Sequence, residues 1–283
     1  MRKFAAIMLI LLAGLIIFVG CEKKTTEPEP EPETFDPPTG LTYTTFQDSV
    51  MLTWNPSPDA GETGFEGYLL YHRENAGFDG LSSEELATYL VSPDPNSGTE
   101  ITVYGLSSDR KHYFALKSFK VDGGDTSLSS LSGTVNTSPT IWFEDTLWEV
   151  AGGDSVICAI DFDNQAIYTM DLLHLTHIDI YLGVDDSNRL ALKSPSLFGD
   201  EWADRETEIK RLGVAVNGLA SFTSAGTNNW TDEIVLYPGE SYAILNGSHY
   251  SKILIENWIG SGYPNRGISF KAAFQDVENY DHF

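Results

Sequence analysis

Cysteine is scarce in this chain, basic side chains are few, and no N-terminal apolar run is long enough to cross a bilayer. Cys21 and Cys158 are the only two cysteines in 283 residues, which excludes a disulfide-stapled scaffold. Seventeen Lys and Arg stand against 41 Asp and Glu, a formal charge of −24. Such a surface repels phosphate backbones, so nucleic acid is not an expected partner. Phe4 to Val19 is a run of sixteen uncharged residues, short of the roughly 20 that a spanning helix needs. Enzyme signatures are missing too: there is no His-Glu-x-x-His, Gly-x-Ser-x-Gly, phosphate loop or dinucleotide fingerprint. The expectation is a protein that is not an enzyme.

What is present begins with a leader. Arg2 and Lys3, a short apolar core and a small residue at Gly20 mark residues 1–20 as a secretory signal peptide. Phe18-Val19-Gly20-Cys21 resembles the bacterial lipobox, with Phe18 departing from the usual Leu. The resemblance implies cleavage before Cys21 and a diacylglyceryl thioether on it. A membrane is then a partner through lipidated Cys21, and the expected location is the bacterial cell envelope, at the outer membrane or cell surface. Residues 21–35 follow as an acidic, proline-alternating tether that cannot bury a core. Extended as polyproline II, Glu22 to Pro37 would reach roughly 50 Å.

Beyond the tether, hydrophobic content of 41% with abundant Gly, Ser, Thr and Tyr indicates a globular, β-type chain. In residues 36–138, Val50-Met51-Leu52-Thr53-Trp54 and Gly67 to Arg73 alternate as half-buried strands. Leu86 to Val91, Glu100 to Leu106 and His112 to Phe119 continue the series, at the spacing of a β-sandwich. Pro38-Thr39-Gly40-Leu41, Val50-x-Leu52-x-Trp54, Gly67-Tyr68-x-Leu70-Tyr71 and His112-Tyr113-Phe114-Ala115-Leu116 resemble the strands of a fibronectin type III domain. In that family a Tyr usually opens the sixth strand and ties its corner by its hydroxyl. His112 occupies that register here and is expected to substitute through a ring nitrogen. The domain is expected to act as a spacer.

Residues 140–283 hold five of the six tryptophans. Strands are expected at Val156–Phe162, Ile178–Leu182, Glu233–Tyr237, Ser241–Leu245, Tyr250–Trp258 and Gly267–Phe274, with a hairpin turn at Asn246-Gly247-Ser248. A helix is expected at Glu201 to Leu212, where Trp202, Arg205, Ile209 and Leu212 share a face. The fold class is therefore all-β: a fibronectin type III sandwich, then a second, mostly antiparallel β domain with at most one short helix. Tyr242 to Ile253 and Gly267 to Gln275 resemble the closing strands of the HmuY-like lipoproteins, whose namesake binds haem through two histidines. That resemblance implies a binding domain, with haem as its candidate ligand.

Four histidines lie in this half, and His174, His177 and His249 are the candidate ligands. His174 and His177 would share a face on a helix and point apart on a strand; alternation from His177 onward favours the strand. Carbohydrate is the alternative ligand, since five tryptophans offer flat rings for sugar faces, although Trp258 in an alternating strand reads as core. A purely adhesive or structural role is the third reading. Asp161-x-Asp163 and Asp185-Asp186-x-Asn188 lack the ligand spacing of a calcium loop and read as solvated turns. Cys158, in an apolar stretch, reads as a small buried hydrophobe.

Overall fold

The computed structural model describes residues 35–152 and 156–283; Cys21, the signal peptide and nearly all of the tether lie outside them. Residues 39–137 form a sandwich of two antiparallel sheets. β1 (Thr39–Thr45), β2 (Ser49–Asn55) and β4 (Glu100–Tyr104) make one sheet. β3 (Phe65–Glu74), β5 (His112–Asp122) and β6 (Asp125–Leu128) make the other, with β7 (Val135–Thr137) paired antiparallel to the start of β5, His112 to Phe114. Alternation dictates the core: Val50, Leu52 and Trp54 face Tyr68, Leu70, Phe114 and Leu116 across the gap. His112 is fully buried, and its Nε2 lies 2.8 Å from the Ser107 carbonyl oxygen. That carbonyl only accepts, so Nε2 carries the proton and Nδ1 accepts from His72 Nε2 at 2.9 Å. The imidazole thus ties the corner as expected.

One expectation fails in this half. Leu86 to Val91 is not a strand: α1 (Ser83–Ala87) covers the outer face of β3, burying Leu86 against Leu69, Tyr71 and Phe78. Ser82 caps α1 and Glu85 returns the bond to the Ser82 N–H, a capping box written in Ser82-x-x-Glu85.

Residues 141–275 form a second antiparallel sandwich. One sheet has the order β10-β9-β11-β12-β14, from β9 (Ala159–Asp161), β10 (Ala166–Tyr168), β11 (Ile180–Val184), β12 (Leu190–Lys193) and β14 (Glu233–Val235). The other has the order β13-β15-β16-β17-β8, from β8 (Ile141–Trp148), β13 (Thr207–Val214), β15 (Glu240–Asn246), β16 (His249–Gly262) and β17 (Asn265–Gln275). Ile160, Ile180, Leu182 and Leu192 pack against Ile209, Ile244, Ile253 and Phe270 between them. The chain is all-β, as its alternation implies. The expected helix at 201–212 does not form. Residues 200–202 make a single 3-10 turn, and Thr207 and Ile209 point inward from β13 while Glu208 is exposed. Period two wins because Ile209 fills the core opposite the other sheet.

The two sandwiches meet end to end. Phe46, just past β1, packs on Trp142 at 5.9 Å between ring centroids. The C-terminal segment completes the joint: Tyr280 donates to Asn136 Oδ1 (2.8 Å), and Tyr43 bonds His282 Nδ1 (2.7 Å). Ile141 pairs with Phe274 beside the joint, whereas Trp148 pairs with Gly267 at the far end. The β16–β17 hairpin tip is therefore the pole most distant from the first sandwich.

Candidate functional site

At that distal pole the two sheets part around a cleft of about 480 Å³, within the range of small-ligand sites. Leu190, Tyr237, Trp258, Ile259, Arg189 and Arg266 line it. The position of Trp258 depends on a β-bulge. Ile253 and Ile255 face the core, so unbroken alternation would turn residue 258 outward. A register shift between Ile255 and Asn257 sets Trp258 opposite Ile268, a core residue, and so turns its ring to the inner face. Because β16 overhangs the core there, the indole is 45% exposed at the cleft instead of packed. A second irregularity between Gly260 and Gly262 shapes the tip. Gly260 sits at φ +83, and a Cβ there would lie 1.9 Å from the Asn265 carbonyl oxygen, so only glycine fits.

Two of the chain's seven arginines, Arg189 and Arg266, line the cleft and a third, Arg211, lies beside it over Tyr237, each backed by a carboxylate. Arg266 reaches Glu149 at 2.6 Å and also holds the Asn188 carbonyl oxygen at 2.9 Å. Arg189 pairs with Asp185 at 2.6 Å, and Arg211 makes a bidentate pair with Glu240. The three carboxylate side chains are each less than a tenth exposed, while Arg189 and Arg211 are more than half exposed. The guanidiniums also cover aromatic rings: Arg211 lies 5.3 Å from the Tyr237 centroid and Arg266 lies 5.6 Å from that of Tyr263. The hydrogen bond from Arg189 to Asp185 holds that carboxyl below its ordinary range and raises the guanidinium. Cationic groups with carboxylate counter-ions behind them, next to half-exposed Trp and Tyr rings, can take a flat polar ligand bearing acceptor oxygens.

The histidines lie elsewhere, and none of the three lines the cleft. His174 and His177 stand on one turn, because residues 172–174 are 3-10 and the His177 N–H donates to the His174 carbonyl; β11 starts only at Ile180. They therefore share a side, against the strand expectation. Both rings neighbour Tyr168, at 4.4 Å stacked and 6.3 Å tilted. His174 Nδ1 lies 3.0 Å from Asp171 Oδ1, off the angle of a hydrogen bond, and His177 Nδ1 lies 3.5 Å from Asp161 Oδ2. His249 is on the β15–β16 hairpin beside Phe274, with ring centroids 5.5 Å apart.

The tryptophan platform does not form. Trp202 is buried, Trp142 packs at the joint, and Trp230 packs on Tyr250. Trp258, expected as core, is the one that lines the cleft. Asp161 is likewise no solvated turn: it is buried and accepts from the Asn164 N–H (2.9 Å) and side-chain amide (2.7 Å). Asp185 folds back on the Arg189 N–H (2.7 Å), shaping the turn that feeds the cleft. Cys158 is buried, and burial pushes its thiol up to about 11, as a structural cysteine requires. Arg189, Tyr237, Tyr263 and Arg266 were not singled out by sequence. The nearest signal was the turn-rich Gly260-Ser261-Gly262-Tyr263-Pro264-Asn265.

No family model matches this chain, and no curated protein does. Among solved structures, the chain is similar to a two-domain fibronectin type III segment of chicken tenascin. Identity is 13%, over 83% of this chain and 97% of that one, with a TM-score of 0.25. It is similar to titin kinase with its flanking domains at 12% identity, over 87% of this chain and 38% of that one, with a TM-score of 0.29. A family 28 exopolygalacturonase of Yersinia enterocolitica is 18% identical over 44% of this chain and 23% of its own, with a TM-score of 0.27.

Proposed function

We propose that this chain is a lipid-anchored protein of the bacterial cell envelope that binds carbohydrate, without catalysis, at the Trp258 cleft. The observation that carries the reading is the half-exposed indole at a 480 Å³ opening on the distal pole. An aromatic ring with an apolar face and a wet edge suits the C–H face of a sugar, and nearby polar groups suit its hydroxyls. The first sandwich supports the reading as a spacer: β1 begins at its end away from the joint, so the chain enters at one pole and leaves at the other. A glycan panel read by tryptophan fluorescence tests it. Binding that Trp258→Ala removes and His174→Ala spares is expected; silence across the panel contradicts it. The anchor has its own test: Cys21→Ser is expected to release the protein or leave it as precursor, and unchanged membrane attachment would contradict lipidation.

Haem remains the second reading, as the HmuY-like resemblance implies, and one observation favours it. His174 and His177 share a turn, each with Nδ1 turned toward an aspartate, an orientation that leaves both Nε2 atoms available to a metal. A haemin titration separates the readings: a Soret shift that His174→Ala or His177→Ala removes would favour haem over sugar.

A further inference from the structure

We propose that the cleft is selective for acidic saccharides, and that Arg189 is the residue that meets the sugar carboxylate. The inference rests on the reading of the cleft as a glycan site and adds the charge class of the ligand. In a chain of net charge −24, three of seven arginines converge on one pole. Their arrangement is directional. Arg189 turns Nε (2.8 Å) and Nη2 (2.6 Å) to Asp185, and Arg211 turns Nε and Nη2 to Glu240. In both, one edge of the fork is held by a carboxylate that lies behind it, and the Nη1 edge is free among the described residues. Arg266 differs, since Nε, Nη1 and Nη2 are all occupied by Glu149 and Asn188. It is a positioning residue, tying the Asn188-Arg189 turn to β17.

A guanidinium fixed on one edge presents its other N–H groups with little freedom left to lose, the condition for strong pairing with a planar carboxylate. The carboxylates behind Arg189 and Arg211 neutralise each pair overall, so the attraction is short-ranged and acts only on an anion delivered into the cleft. Trp258 and Tyr237 supply that delivery by stacking the ring that carries it. Arg189 lines the cleft itself, whereas Arg211 covers the Tyr237 ring from beside it, which makes Arg189 the primary contact.

The test uses the full chain in detergent and matched tetramers that differ only at the C6 carbon. β-1,4-glucuronic acid is set against cellotetraose, and mannuronic acid against mannotetraose, by calorimetry. The acidic member of at least one pair is expected to bind about tenfold more tightly in about 0.15 M salt, where the long-range repulsion from the acidic chain is largely screened. Arg189→Gln is expected to collapse that ratio to about twofold or less, with its urea midpoint checked for folding. Equal affinity for acidic and neutral members, or an acidic preference that survives Arg189→Gln, overturns the inference while the glycan reading stands. Failure of every tetramer and every other glycan to bind overturns both.

Discussion

Replacing Lys252 with Met should stabilise the protein and flatten its response to alkaline pH. Lys252 lies on β16, only 2% exposed as a residue, its ammonium donating to the Phe222 carbonyl oxygen at 2.7 Å beneath the Phe283 ring. Burial lowers its pKa from 10.5 to about 7. A shift of that size corresponds to a penalty of about 3–5 kcal/mol at neutral pH. Met removes the penalty but leaves the Phe222 carbonyl without its donor, a loss of about 1–3 kcal/mol. The net expectation at pH 7 is a gain of about 1–3 kcal/mol. The sign of the pH dependence follows from proton counts. Between about pH 7 and 10.5 the unfolded chain holds a proton on this lysine that the folded chain has released, so stability rises with pH. From pH 7.5 to 9.5 the natural protein should gain about 2–3 kcal/mol relative to the Met variant. Tyr43, raised by burial to about 12, acts in the opposite sense above pH 10, so measurement stops short of it. Urea unfolding of both proteins at pH 7.5, 8.5 and 9.5 gives the two slopes. Parallel slopes would refute the argument, and so would a Met variant less stable than the parent at pH 7.5.

His112→Phe should destabilise the first sandwich by about 2–4 kcal/mol, because the Ser107 carbonyl and the His72 N–H lose their buried partner; urea unfolding at pH 7 measures it. His72 is held below the ordinary histidine value of 6.5 by burial and by His112. The unfolded chain therefore gains this proton first, and stability should fall as pH drops below about 6.5, visible as a lower urea midpoint at pH 5 than at pH 7. Gly260→Ala should strain the hairpin tip, where φ is +83 and the added carbon meets the Asn265 carbonyl. A loss of about 1–3 kcal/mol is expected, with weakened ligand binding in the same variant.

Much of this fold was legible locally. Val50, Leu52 and Trp54 alternate in sequence and in space, and Asn246-Gly247 marks the turn that joins β15 to β16. The His112 corner was legible too, because the inward register of Phe114 and Leu116 fixes where residue 112 points. Other features were written but overridden. Trp202, Arg205 and Ile209 fall at helical spacing, yet Thr207 and Ile209 obey a strand because the facing sheet buries them. The cleft was illegible for a different reason. It is assembled from the turn before β12, the turn after β14 and the β16–β17 hairpin, segments far apart in sequence. Its central residue is turned inward by a bulge, and a bulge inverts the alternation on which sequence reasoning depends. His174 and His177 failed similarly, since the 3-10 turn carrying them interrupts an apparent strand.

The most direct test of the account is calorimetric titration of the full chain and its Trp258→Ala variant with the glycan that gives the largest fluorescence change. A binding site at the distal cleft predicts saturable, one-to-one binding to the natural chain, weakened about tenfold or more without the indole. Binding of equal strength to both proteins would place the ligand elsewhere and contradict the claim.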